Sequence, residues 1–137
     1  MLSPHFSQTE LTVTTTGLKN DPGPKELANL AVTASLLEQI RSLLGHPIRV
    51  NSGYRSPAVN KKVGGVATSD HLTGCAADFV CPAFGTPYEI CKAIEASGIK
   101  FGQMIQEGSW VHVSWKTNAR PLLTLKNGKY VPGIVRS

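Results

Sequence analysis

Apolar side chains recur at helical spacing along one long segment of the chain. Between Pro24 and Leu44 they return every three or four residues, which predicts an amphipathic helix. Proline is favourable in the first turn of a helix, and Gly45 is typical of a helix end. Further helices are predicted from helix-start residues at three positions: after Ser7, from Ser56-Pro57 to about Val63, and from Thr86-Pro87 to about Ser97.

Polar and apolar residues alternate in several other segments, as is typical of β-strands. We predict strands over residues 48–52, 76–81, 103–106, 110–115, 121–125 and 130–135. Asn127-Gly128 lies between the last two strands and strongly favours a two-residue hairpin turn. The predicted fold class is therefore α+β, with helices packed on one side of a mainly antiparallel sheet.

The composition is that of a single globular domain. The chain has 137 residues, 41% of them hydrophobic, which is enough for a core without a disulfide or a structural metal. Residues 1–137 are therefore assigned to one domain. The net charge of +5 favours acidic partners, but the basic residues are scattered and no aromatic residues are interleaved with them. Nucleic-acid binding is for this reason the least favoured function.

The sequence gives no indication of a membrane segment. No apolar run reaches the roughly 18 residues that a membrane span needs. Met1 to Thr16 lack the basic and apolar regions of a signal peptide, which predicts synthesis in the cytoplasm without one. Any substrate outside the cytoplasm must then be reached by another route.

The three cysteines, Cys75, Cys81 and Cys91, are not spaced like a zinc site or a disulfide framework. Their number is odd, and no two of them form a C-x-x-C pair. We expect all three to be reduced and buried as small core residues.

Three short segments combine residues that can bind a metal or an anion. They are Ser52-Gly53-Tyr54-Arg55-Ser56, the stretch from Ser69 to Asp78, and Trp110-Val111-His112-Val113-Ser114. His71 and Asp78 are separated by Gly74, where a turn would let both side chains converge. Zinc takes imidazole and carboxylate ligands, and a catalytic zinc site keeps one position for water. His112 is the best third ligand, because an unpartnered imidazole in an apolar strand would be costly.

Each of these residues also has an ordinary structural explanation. His112 alone is compatible with a hydrogen-bonded histidine in a strand, and Asp78 with the cap of a turn. His5 and His46 have no neighbouring motif and are assigned no role in the site.

In combination and in this order, the three segments resemble the zinc D-Ala-D-Ala carboxypeptidase family. That family includes phage L-alanyl–D-glutamate endopeptidases and shares its fold with the hedgehog signalling domain. The matching patterns are S-G-Y-R-S, S-x-H-x-x-G-x-A-x-D and W-V-H-V-S, and the likeness extends over about residues 6–114. The resemblance implies a hedgehog-like zinc peptidase fold and one Zn²⁺ per chain, bound by His71, Asp78 and His112.

The resemblance also implies substrate-binding roles beside the metal. Arg55 would direct its guanidinium at the substrate carbonyl or carboxylate, since a planar, permanently charged group suits an oxyanion. A surface ion pair is the alternative for Arg55. Ser69 would shape the loop that carries His71 or contact the substrate.

The general base is where this sequence departs from the best-known pattern of the family. Many relatives have an acid three residues before the last histidine, whereas this chain has Ser109 there. The nearest acid is Glu107, at the turn between two predicted strands. Looser relatives also have an acid near the end of the strand before the last histidine, so the resemblance implies that Glu107 takes the proton of the attacking water. A solvated glutamate at a turn is the alternative. Asp70 is the reserve candidate.

The resemblance implies hydrolysis of an amide bond in bacterial peptidoglycan. We expect an L-alanyl–D-glutamate endopeptidase of the phage-endolysin type, acting on the stem peptide as a monomer after release through a holin-type system. D-Ala-D-Ala carboxypeptidase activity is the alternative. A hypothesis of another class is a non-enzymatic binding module stabilised by zinc, against which an acid at position 107 argues.

Overall fold

The helices begin at the capping residues and prolines that the sequence marks. The computed structural model describes every residue from Met1 to Ser137. Ser7 and Thr86 each form a capping box with the glutamate three residues later. None of the helices combines the length and the apolarity needed to span a bilayer. The helices are α1 (Gln8–Leu11), α2 (Pro24–Leu44), α3 (Pro57–Lys62) and α4 (Pro87–Ser97), so all four predicted helices are confirmed.

Six strands form one sheet in the order β1-β2-β4-β3-β5-β6. They are β1 (Arg49–Ser52), β2 (Ala76–Val80), β3 (Gln103–Gln106), β4 (Val111–Ser114), β5 (Leu122–Lys126) and β6 (Lys129–Pro132). All neighbouring strands are antiparallel except β3 and β5, which are parallel. The prediction of an α+β fold with a mainly antiparallel sheet is confirmed.

The parallel pairing of β3 with β5 was not predicted from the sequence. Met104 is paired with Leu122, and Ile105 with Leu123, so β5 lies beside β3 although it follows β4 in the chain. Local alternation identifies a strand but not its neighbour in the sheet. The pairing brings the C-terminal hairpin next to β3.

That hairpin closes through the predicted two-residue turn. Asn127 and Gly128 both have positive φ values, 52° and 76°, which are characteristic of the turn that matches the twist of a hairpin. The last strand ends at Pro132, earlier than the predicted position 135. Gly133 follows with a φ of 82°, which is not an extended conformation, so the strand ends before it.

The two faces of the sheet have different environments. One face carries buried apolar residues such as Phe79 and Val113 and packs against α2 and α4. Because side chains alternate along a strand, Asp78, Ile105 and His112 are directed to the opposite face. The apolar core therefore fixes the sheet from one side and leaves the other side for a site.

The three cysteines lie in the interior, as predicted. Cys75, Cys81 and Cys91 are all buried, and none of them forms a disulfide. Burial raises the pKa of the Cys91 thiol to about 12, so this side chain stays protonated. The prediction that the cysteines are small, buried core residues is thus confirmed.

Candidate metal centre

Asp78 and His112 are direct neighbours across two strands, on the sheet face that α2 and α4 leave uncovered. The antiparallel register of β2 and β4 pairs the two residues. Both are buried, and Nδ1 of His112 lies 2.9 Å from Oδ1 of Asp78. The imidazole in this otherwise apolar strand thus has a carboxylate partner.

His71 reaches the same carboxylate from a one-turn 3₁₀ helix, Asp70–Thr73. Ser69 caps this turn, since its hydroxyl accepts a hydrogen bond from the backbone N–H of His71. Gly74 ends the turn with a φ of 79°, a conformation that residues with a Cβ rarely adopt. The chain therefore turns at Gly74, as the sequence suggested, and leads directly into β2.

A backbone contact fixes the tautomer of His71. Nδ1 lies 2.6 Å from the carbonyl oxygen of Gly53, and because a carbonyl oxygen only accepts, Nδ1 carries the proton. Nε2, the other ring nitrogen, faces the site and lies 3.2 Å from Oδ1 of Asp78. Gly53 is required at its position, because a Cβ there would collide with the carbonyl oxygen of Leu11.

His71, Asp78 and His112 together offer three ligand atoms, and these atoms all lie within 4.8 Å of one another. Two imidazole nitrogens and one carboxylate form a ligand set that catalytic zinc sites use, with a fourth position for water or substrate. The hydrogen bond from His71 to Gly53 is the kind of outer contact that orients a ligating histidine. The residues present therefore fit Zn²⁺.

Asp78 is held in its anionic form. Burial alone would raise its pKa, but the charge of His71 and hydrogen bonds from His112 and His71 bring the pKa well below its usual range. Arg55 contacts the other carboxylate oxygen, with Nη2 3.3 Å from Oδ2. One oxygen of Asp78 thus faces the histidines and the other faces a guanidinium, which fixes its orientation.

Arg55 is anchored beside the three candidate metal ligands and is only partly exposed. Its Nε donates to the hydroxyl of Ser52 at 3.0 Å, and its Nη1 donates to the amide oxygen of Asn60 at 3.4 Å. Its backbone N–H donates to the carbonyl of His71. The ion pair that Arg55 forms is with Asp78 inside the site, not with an acid on the outer surface.

Glu107 follows β3 directly and lines the same cleft as the three candidate metal ligands. Burial raises the pKa of Glu107 above its usual range, and the hydrogen bond from Tyr130 opposes this only in part. The hydroxyl of Tyr130 lies 2.8 Å from Oε1 of Glu107. Ser109, at the position of the more common acid, is exposed at the turn.

Asp70, the reserve candidate for the base, has a different partner. Its Oδ2 accepts a hydrogen bond from the buried hydroxyl of Ser114 at 2.8 Å. Asp70 therefore ties the 3₁₀ helix to β4, while still lining the cleft.

One cleft contains all of these groups. It has a volume of about 410 Å³ and is lined by the three ligand residues together with Arg55, Ser69 and Glu107. The loop before the 3₁₀ helix forms one wall, and β3 with the C-terminal hairpin forms the other. The cleft is of the size that small-ligand and peptide sites have.

The cleft is also lined by Trp110, Arg120 and Tyr130, to which the sequence analysis assigned no role of their own. Nε1 of Trp110 is buried and has no hydrogen-bond acceptor within the protein. Arg120 and Tyr130 come from the chain after β4 and reach the cleft because β5 pairs with β3. Of these three residues, only Trp110 could have been placed near the site from the sequence, because it lies two residues before His112.

Comparison with known proteins agrees with this geometry. A family model described as peptidase M15 matches residues 4–114, which is more than half of the chain. The chain belongs to the peptidase M15 family. A segment of 52 residues is 46% identical to the zinc D-Ala-D-Ala carboxypeptidase of Streptomyces albus G. That segment is 37% of this chain and 20% of the relative, so the likeness extends over about a fifth of the relative's length.

The family resemblance predicted from the three motifs is therefore confirmed, together with a His-Asp-His set able to hold Zn²⁺. The matched segment ends at Ser114, the last residue of β4. It contains the three ligand residues, Arg55 and Glu107. Arg120 and Tyr130 lie beyond it, so this peptidase M15 chain completes its cleft with residues from outside the matched segment.

Proposed function

We propose that this chain is a zinc metallopeptidase that hydrolyses an amide bond in the stem peptides of peptidoglycan. The main support is the convergence of His71, Asp78 and His112 in a cleft that also contains the part-buried carboxylate of Glu107. Membership of the peptidase M15 family supports peptide hydrolysis. The name of the Streptomyces relative supports zinc and a cell-wall peptide.

One Zn²⁺ per chain would be held by His71, Asp78 and His112. When bound, the ion supplies Lewis acidity, which lowers the pKa of water toward neutrality and polarises a scissile carbonyl. The protein prepares this site through two contacts. Gly53 fixes the tautomer of His71, and Arg55 orients the carboxylate of Asp78.

Glu107 is proposed as the general base. A pKa raised by burial makes its carboxylate a better proton acceptor than an exposed glutamate. The hydroxyl of Tyr130 binds Oε1, which leaves Oε2 to accept a proton from the attacking water. The same oxygen then returns the proton to the leaving amine.

Arg55 and Ser69 are proposed to position the substrate. The guanidinium of Arg55 is held by three side chains, and its remaining N–H donors suit the oxyanion that forms during hydrolysis. Ser69 caps the turn that carries His71 and also lines the cleft. Its placement supports a role in shaping the loop of the metal ligand.

For the bond that is cut, we favour L-alanyl–D-glutamate, as in phage endolysins that reach the cell wall after release through a holin-type system. This specificity, action as a monomer and the hedgehog-like fold rest on the resemblance of the three motifs. D-Ala-D-Ala carboxypeptidase activity is the second candidate, because the Streptomyces relative carries that name.

A non-enzymatic module stabilised by zinc is the rival of another class. Such a module needs neither a cleft at its metal nor a base beside it. Here the ligands line a cleft of about 410 Å³, and Glu107 lies on its wall with a raised pKa. These observations favour the enzyme.

The decisive experiment is digestion of purified peptidoglycan with and without a chelator, followed by mass spectrometry of the new termini. We expect zinc-dependent cleavage that releases a new amino terminus on D-glutamate, or free D-alanine for the carboxypeptidase alternative. Absence of any new terminus with a fully zinc-loaded protein would exclude peptidoglycan hydrolysis.

A further inference from the structure

We infer that Arg120 binds a free α-carboxylate on the substrate residue that follows the scissile bond. Arg120 would then be a specificity-determining residue and not part of the proton-transfer machinery. The inference rests on the proposed function, because it concerns the substrate of the same cleft.

The first support is the way Arg120 is held at the cleft. Its backbone N–H donates to Oδ1 of Asn118 at 2.8 Å, and its carbonyl accepts from Nε2 of Gln103 at 3.0 Å. Its Nη2 donates to the carbonyl of Tyr130 at 3.4 Å. Although Arg120 is exposed, contacts at both its backbone and its side chain direct it to the cleft wall.

The second support is the distribution of charge in the cleft. Two guanidinium groups line it, and Arg55 is already paired with Asp78. Arg120 forms no ion pair within the protein. The two other carboxylates of the cleft already have hydroxyl partners: Asp70 binds Ser114 and Glu107 binds Tyr130. The guanidinium of Arg120 is therefore free for an anion of the ligand.

A carboxylate is the anion that this group suits best among those in a stem peptide. The planar guanidinium donates two parallel hydrogen bonds to the two oxygens of a carboxylate. Both candidate substrates carry a free α-carboxylate on the residue that follows the scissile bond. In an L-alanyl–D-glutamate stem peptide the chain continues through the γ-carboxyl of D-glutamate, so its α-carboxylate stays free beside the scissile nitrogen. In D-Ala-D-Ala, the terminal D-alanine carries the free α-carboxylate.

A binding experiment tests the inference without turnover. The zinc-loaded Glu107→Gln protein is titrated calorimetrically with two peptides, each as the α-carboxylate and as the α-carboxamide. One ends in D-Ala-D-Ala, and the other contains L-alanyl–D-glutamate with the chain continued through the γ-carboxyl of D-glutamate. We expect at least one carboxylate to bind about tenfold or more tightly than its carboxamide, and a second change, Arg120→Gln, to remove that preference. The peptide that shows it identifies the source of the carboxylate.

The matched control is Lys126→Gln, which removes one positive charge from the hairpin that follows Arg120, at a position outside the cleft lining. Lys126→Gln should leave the preference for carboxylate over carboxamide intact, whereas Arg120→Lys should retain only part of that preference. A preference that survives Arg120→Gln, equal effects of both charge changes, or no binding of either carboxylate would overturn the inference. If instead the proposed function is wrong, the native protein cuts neither peptide. The binding titration still measures the contribution of Arg120 in that case.

Discussion

The hydroxyl of Tyr130 donates a hydrogen bond to Oε1 of Glu107, and the two oxygens are 2.8 Å apart. The donor comes from the C-terminal hairpin and the acceptor from the end of β3. Glu107 lies within the segment that matches the peptidase M15 family, whereas Tyr130 lies outside it. The hairpin therefore contributes directly to the placement of the proposed base.

Replacing Tyr130 by phenylalanine tests this contribution. The change keeps the ring but removes the hydrogen bond, so Glu107 loses its orientation. We expect kcat on a stem-peptide substrate to fall by about tenfold while KM changes little. The hydrogen bond lowers the pKa of Glu107, so its loss should raise that pKa and move the acidic limb of the pH–rate profile to higher pH. An unchanged kcat and an unchanged limb would show that Tyr130 does not position the base.

Replacing Glu107 by glutamine should abolish most of the catalysis and leave the metal centre intact. Glutamine preserves the shape of the side chain but cannot accept the proton of the attacking water. We expect kcat to fall by about two to four orders of magnitude, with zinc content and circular dichroism unchanged. Near-normal turnover by the zinc-loaded variant would remove Glu107 from the mechanism.

Asp70→Asn is the matched comparison for Glu107→Gln, since both remove one carboxylate from the cleft. The hydroxyl of Ser114 can still donate to the amide oxygen of asparagine. We therefore expect a fall in kcat of less than about tenfold, well below the worth of a positioned general base. A larger loss than that of Glu107→Gln would assign the base to Asp70.

The metal ligands can be tested by zinc content alone. His71→Ala, Asp78→Asn and His112→Ala each remove one ligand, and we expect each protein to lose most of its one equivalent of zinc in elemental analysis. His5→Ala is the matched control, because His5 pairs with Glu38 and lies outside the cleft. Full zinc occupancy in His71→Ala and His112→Ala would rule out this ligand set.

The cysteines should be dispensable for zinc. Replacing Cys75, Cys81 and Cys91 by alanine removes three buried sulfur atoms and should cost stability through lost packing. The folded protein should still bind one equivalent, as measured by elemental analysis. Loss of zinc from a folded triple variant would contradict the proposed ligands.

Elements with local signals could be predicted from the sequence. Pro24 and Gly45 mark the ends of α2, and Asn127-Gly128 marks the hairpin turn. The parallel pairing of β3 with β5 has no such signal, because it depends on which strand edge the core leaves free. The 3₁₀ helix Asp70–Thr73 was also missed, since its four residues are too short for a periodic pattern.

The residues of the site also divide into those with a local sequence signal and those without one. His71, Asp78 and His112 stand in recognisable motifs, and the register of β2 and β4 then brings two of them together. Arg120 and Tyr130 belong to no motif. They reach the cleft only through the pairing of β5 beside β3, so no local pattern could have placed them there.

The N-terminal segment is held against α2 by Glu38, another carboxylate with a shifted pKa. Glu38 accepts hydrogen bonds from the hydroxyl of Ser3 at 2.6 Å and from the backbone N–H of His5 at 2.7 Å. Nδ1 of His5 also lies 2.7 Å from its other oxygen. Burial alone would raise the pKa of Glu38, but these contacts lower it from 4.5 to about 2.

This shift predicts an acid-dependent loss of stability. The pKa of Glu38 is lower in the folded state than in the unfolded state, so its contribution is present above about pH 4.5 and is lost as the pH falls toward 2. Glu38→Gln should therefore be less stable than the native protein at pH 6, by no more than about 1 kcal/mol because the site is part-exposed. The difference should shrink toward pH 2 in urea unfolding. Ser3→Ala should reproduce part of it, whereas a difference of equal size at every pH would contradict the assignment.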